Sequence, residues 1–133
     1  MADWNTVRYD PAYEEPLDPE IIPLCDAFNA AGFVTTSSCC GHGHRWPHVW
    51  FEHSSDERIE AMARFVMERN KGDFRPFCVD FQKDIRLDGY AWSLAIRLNN
   101  CFRDTAPGEM LRQATEAMGW VTNAINDWRS KCS

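Results

Sequence analysis

No stretch of this chain is apolar over the roughly 20 residues that a membrane-crossing helix requires. No signal-peptide pattern opens it and no low-complexity tract interrupts it. It has no C-x-x-C pair either, although it carries six cysteines. Two of these, Cys39 and Cys40, are adjacent, and neighbouring cysteines bond to each other only with strain. These absences argue against a membrane span and against a secreted scaffold held by disulfides. A soluble cytoplasmic protein with reduced thiols is expected. A chain of 133 residues is also too short to bury two cores, which leaves one domain.

What is present reads as an ordinary globular sequence, 44% hydrophobic and 26% charged, so disorder is expected only at the ends. The net charge of −6 is unevenly placed, because residues 1–20 hold six acids and a single arginine. That leaves 13 of the 14 basic groups and 14 of the 20 acidic groups for the rest, which is nearly neutral. Charge therefore neither supports nor excludes RNA as a partner.

The first 17 residues, with Pro11, Pro16 and scattered acids, have no period and are expected to form an extended acidic arm ahead of one domain over residues 18–133. A first helix is expected over residues 20–31, where Ile21, Leu24, Cys25, Phe28 and Ala31 fall on one stripe and Gly32 gives the stop. Residues 33–36 read as a short strand. Residues 48–53 read as a second, with Val49 and Phe51 alternating against Trp50 and Glu52. Ser54 with Glu57 makes a capping box for a second helix carrying Ile59, Met62, Ala63 and Val66. Phe77, Val79 and Phe81, then Tyr90, Trp92, Leu94, Ile96 and Leu98, alternate as the two strands of a hairpin. A long helix over residues 107–129 closes the chain, with Leu111, Ala114, Met118, Val121, Ile125 and Trp128 on its buried face. The order α-ββ-α-ββ-α predicts an α+β domain with a mostly antiparallel four-stranded sheet and helices packed on one face.

The chemistry-bearing residues concentrate in residues 35–53. This segment holds both vicinal cysteines, all four histidines (His42, His44, His48, His53) and two glycines. Gly41 and Gly43 allow left-handed backbone, so the loop amides could form an anion nest with the hydroxyls of Ser37 and Ser38 as further donors. Phosphate, carboxylate or a nucleotide suits such a nest. Thiolate and imidazole are also the preferred ligands of zinc, for which Cys39, His42, His44 and His48 are the candidates among the six Cys and His of the segment. A third reading makes Cys39 or Cys40 a nucleophile with a nearby histidine as base. The bland alternative leaves solvated histidines and thiols packed as small hydrophobes. Elsewhere Cys25, Cys78 and Cys101 read as packing residues and Cys132 as a tail thiol. Asp80 and Arg97 read as a solvated ion pair, and Arg103 reads as an anion clamp or an exposed loop charge.

With those residues in hand, the chain resembles the wybutosine-pathway tRNA(Phe) methyltransferase family. Thr35-Thr36-Ser37-Ser38-Cys39-Cys40-Gly41 is similar to that family's T-T-S-S-C-[SA]-G signature. The strand with Trp50 and His53 is similar to its W-x-x-x-x-H strand, Phe74-Arg75-Pro76-Phe77 to its F-x-P-F strand entry, and Ala95-Ile96 with Phe102-Arg103 to its A-I-x-x-G-F-R segment. The family's arginine after the glycine is His42 here, and its glycine before Phe-Arg is Cys101. The resemblance implies S-adenosylmethionine or another nucleotide-like ligand held by Ser37, Ser38, Cys39, Cys40, Gly41 and Arg103. His53 or His42 would handle protons in methyl transfer to RNA. The rival expectations are a non-catalytic binding or inhibitor protein, such as a phage or mobile element encodes, using the same pocket, and a zinc-binding domain built on the Cys/His loop. Oligomeric state is left open.

Overall fold

The computed structural model describes residues 9–10, 15–16, 18–52, 56–70, 76–87, 89–100 and 104–132. β1 (Tyr9–Asp10) and β2 (Glu15–Pro16) pair antiparallel in a ladder of their own, so part of the arm expected to be merely extended is paired. Two residues per strand are too few for a period-two pattern to register in a sequence.

Asp18 heads a 3-10 turn over Pro19–Ile21 that runs directly into α1 (Ile22–Ala30). Pro23 sits in the first turn of α1, where the missing N–H would have had no helical partner. The helix ends where Gly32 turns left-handed at φ 93°, and Phe33 donates its amide back to the Phe28 carbonyl at 2.9 Å. Arg58 then locks this end in place. Its guanidinium donates to the Ala31 carbonyl at 2.8 Å and lies over the rings of Phe33 and Trp128.

Four strands form the main sheet: β3 (Thr35–Cys39), β4 (His48–Phe51), β5 (Phe77–Arg86) and β6 (Gly89–Leu98). Their order is β3-β4-β6-β5 and every pairing is antiparallel. With α2 (Asp56–Asn70) and α3 (Pro107–Cys132), this is the expected α+β architecture. The buried positions on the sheet are Val49 and Phe51 of β4, Leu94, Ile96 and Leu98 of β6, and Phe77 and Val79 of β5. Facing them are Leu24 and Phe28 of α1, Ile59, Met62 and Val66 of α2, and Met110, Met118, Val121 and Ile125 of α3, all buried in one core. Each such side chain contributes about 1.5–3 kcal/mol on leaving water. In the long-helix stripe Met110 takes the fully buried position, and Leu111 only packs against its edge.

Two expectations change. The first strand of the sheet runs over Thr35–Cys39 rather than residues 33–36, because β4 supplies a partner from Thr35 as far as Cys39. Cys78 is exposed rather than packed, since the register that buries Phe77 and Val79 puts Cys78 opposite Arg97 on the other face. Cys25, Cys39, Cys40 and Cys78 are not in disulfides. Arg97 and Asp80 do form the expected cross-strand ion pair.

At the start of α2, Asp56 accepts hydrogen bonds from Lys83 Nζ at 2.7 Å and Trp92 Nε1 at 3.0 Å, tying the helix to the far half of the hairpin. The capping residue expected there, Ser54, lies outside the described residues. The Lys83 bond, then the Trp92 bond, pull the Asp56 carboxyl down to about 2. A folded-state value below the unfolded one contributes stability that is present above pH 4 and lost as pH falls towards 2. Melting temperature measured from pH 5 to pH 2 is expected to fall less steeply in Asp56→Asn than in the parent, whose ion pair is still intact at pH 5. Equal slopes would remove this tie from the list of stabilising contacts.

Candidate functional site

β3 is anchored at its start by Asn29 of α1, whose amide donates to Cys25 O at 2.7 Å and to Thr35 Oγ1 at 3.0 Å. From there the edge strand delivers Cys39 to the mouth of the loop formed by residues 40–47. The loop turns at once. Gly41, His42 and Gly43 are all left-handed, at φ 87°, 53° and 80°. The Gly41 carbonyl accepts the amides of His44 at 2.9 Å and Arg45 at 3.2 Å. A Cβ on Gly41 would fall 1.9 Å from the Arg45 carbonyl oxygen, and one on Gly43 would fall 2.1 Å from that of Pro107, in the first turn of α3. A non-glycine residue in this backbone region costs on the order of 1–2 kcal/mol. His42 is therefore a strained residue held between two unstrained ones.

That conformation folds the His42 ring back towards the chain. Its Nδ1 lies 3.8 Å from Cys40 Sγ and its Nε2 lies 3.6 Å from Asp18 Oδ2. Asp18 precedes a helical turn, the position whose side chain usually caps the following amides. Here it makes no cap bond. Its Oδ2 instead accepts the Cys40 amide at 3.0 Å, from 22 residues further along. Cys39 Sγ accepts the Gly41 amide at 3.3 Å and is approached by Arg45 Nη2 at 3.8 Å. One ligand atom from each of Asp18, Cys39 and His42 lies within 4.8 Å of the other two.

The two cysteines are different chemically. Cys40 is 1% exposed and takes the His42 amide on its sulfur at 3.4 Å. Burial foremost, with the neighbouring Asp18 carboxylate adding to it, pushes its thiol up to about 12. It stays protonated at neutral pH, and a thiol rather than a thiolate is a poor nucleophile and a poor ligand. Cys39 is also buried, at 9% exposure, but on the face of the sheet opposite the helices, beside His48 in register.

Of the residues singled out by sequence, Cys39, Cys40, Gly41 and His42 are brought together. Ser37 and Ser38 are not a pair of donors to one site. Register puts Ser37 in line with Trp50 and Ser38 in line with the buried Val49, on opposite faces of the strand. His44 is exposed, and His48 turns its Nδ1 to the Trp46 carbonyl at 3.4 Å; neither belongs to the cluster. His53 and Arg103 lie outside the described residues, as does Cys101. Five amides of the expected anion nest are engaged within the chain: Cys40 on Asp18, Gly41 and His42 on sulfur, His44 and Arg45 on the Gly41 carbonyl.

Two residues in the site carried no sequence signal of their own. Asp18 reads as one more acid of an acidic N-terminal stretch, and Arg45 as a loop charge. The available hint for Asp18 was its place just before Pro19, a start position for a helix that its side chain then does not cap.

Fold and site together define a small α+β protein with an Asp/Cys/His cluster at the end of an edge strand. No family model, curated protein or solved structure matches this chain.

Proposed function

We propose that this protein binds a divalent transition-metal ion, zinc in the first instance, through the carboxylate of Asp18, the thiolate of Cys39 and the imidazole of His42. The observation that carries the reading is the convergence of these three ligand atoms within 4.8 Å from two separate parts of the chain. Tetrahedral zinc with bonds of 2.0–2.3 Å needs ligand atoms about 3.3–3.8 Å apart. A closure of about 1 Å is within the range of the His42 ring, which is more than half exposed at 57%.

The surroundings of the three ligands support the same reading. Metal-bound thiolates, carboxylates and imidazoles are oriented by hydrogen bonds to their remaining atoms. Cys39 has the Gly41 amide, Asp18 has the Cys40 amide on one oxygen, and His42 has the neutral Cys40 sulfur on its second nitrogen. The vicinal cysteines then have separate tasks, one as ligand and the other as the orienting group behind it. Three protein ligands also leave a fourth position, the arrangement of catalytic rather than structural zinc.

The test is elemental analysis of protein purified without added metal. About one zinc per chain that survives dialysis is expected. Its absence, with no uptake on adding zinc, would sink the metal reading. Thermal shift with S-adenosylmethionine separates the reading that the family resemblance implies. A ligand at 100 times its dissociation constant raises stability by about 2.7 kcal/mol, and such a gain in metal-free protein would favour a nucleotide-like ligand.

A further inference from the structure

Resting on the metal reading above, we infer that the fourth coordination position takes an oxyanion, carboxylate or phosphate, held jointly by the metal and by the guanidinium of Arg45. Arg45 places a cation at the cluster, its Nη2 3.8 Å from Cys39 Sγ. Other arginines have carboxylate partners: Arg64 with Glu60, Arg69 with Asp127, Arg97 with Asp80, and Arg112 with both Glu109 and Glu116. Among the described residues no carboxylate pairs with Arg45, whose sole side-chain bond is to the Cys39 sulfur.

Charge and distance both favour an anion. A divalent ion is balanced by one charge on Asp18 and one on Cys39, while neutral His42 adds none. Glu20 acts on the Cys40 side of the cluster and Arg45 stands at the Cys39 sulfur, so the positive side of the site is at Arg45. A metal about 2.3 Å from the Cys39 sulfur is at most about 6 Å from Arg45 Nη2, given the 3.8 Å between nitrogen and sulfur. One oxyanion covers that span. One of its oxygens coordinates at about 2 Å while another accepts a guanidinium N–H at about 2.8 Å. Arg45 is exposed, so a ligand reaches it without opening the core. The planar fork of arginine matches carboxylate and phosphate alike, which sets the ligand class without choosing between them.

The test uses full-length protein loaded with cobalt(II) and desalted, titrated with inorganic phosphate in one arm and acetate in the other. Visible absorption of the bound cobalt is the readout. A saturable spectral change is expected with at least one of the two, and the tighter arm identifies the source of the oxyanion. Arg45→Ala is expected to keep one cobalt per chain and its thiolate-to-cobalt band, yet bind the same anion at least tenfold more weakly. Arg45→Lys is expected to fall between, since it keeps the charge and loses the fork. No spectral response to either anion overturns the inference. So does unchanged anion affinity in Arg45→Ala, or loss of cobalt from that variant. Failure of the parent protein to take up cobalt at all overturns the metal reading instead.

Discussion

Cys39→Ser is expected to lose stoichiometric zinc, with affinity down at least about a hundredfold, a loss beyond the 10–100-fold typical of removing an orienting partner. Serine is close in size and its hydroxyl accepts the Gly41 amide as the sulfur does, so the loop keeps its turn. Metal content by elemental analysis and chemical unfolding of metal-free protein should therefore separate: the first collapses, and the second moves by less than about 1 kcal/mol. His42→Gly sharpens the contrast. It removes a ligand as surely as Cys39→Ser, yet it relieves the φ of 53° that His42 holds, and metal-free protein should unfold no more easily than the parent. A stabilised fold that has lost its metal is the signature of a residue kept for chemistry. If both variants retain full zinc, the ligands lie elsewhere.

Gly41→Ala is expected to have the largest effect on stability of any glycine-to-alanine change among the described residues. The new Cβ would sit 1.9 Å from a backbone oxygen, and that oxygen belongs to Arg45, whose amide closes the same turn on the Gly41 carbonyl. Nothing there is a flexible side-chain end that could yield. A destabilisation above about 4 kcal/mol follows, a large part of the 5–15 kcal/mol that holds a typical domain together. Gly43→Ala meets the Pro107 carbonyl in the same way and should separate the loop from α3. Gly119→Ala is the control. It lies on an exposed turn of α3 with nothing within 4 Å of the added carbon, and should stabilise by about 0.5–1 kcal/mol. Urea melts of the three variants check the set, and a Gly41→Ala protein as stable as the parent would contradict the left-handed loop.

The elements that bury a face were readable in advance because burial imposes a period. Met118, Val121 and Ile125 recur at helical spacing and are all buried. Leu94, Ile96 and Leu98 recur at strand spacing, and every one is buried too. β3 was misplaced for the converse reason. It is an edge strand of small polar residues, four of them half-buried, so hydrophobic alternation is absent and only the partner β4 defines it. Strand order was equally out of reach. That β6 rather than β5 lies beside β4 rests on pairing between strands more than 40 residues apart, of about the separation Val49↔Leu94 shows, which no local pattern encodes.

The candidate site divides along the same line. Composition alone located it, because a run of cysteine, glycine and histidine has no use in a core, and the two glycines correctly announced left-handed backbone. What those residues do there was decided by three-dimensional neighbours. Asp18 comes to Cys40 from across 22 residues because α1 and β3 pack side by side. The pleat turns Ser37 and Ser38 to opposite faces, and burial makes Cys40 a neutral thiol while the Cys39 sulfur lies beside Arg45. The sequence by itself determined the fold class and the position of the loop, since local preferences and burial periods carry that information. Only the tertiary structure decided the identity of the cluster, because ligands converge through contacts between segments that sequence spacing does not record.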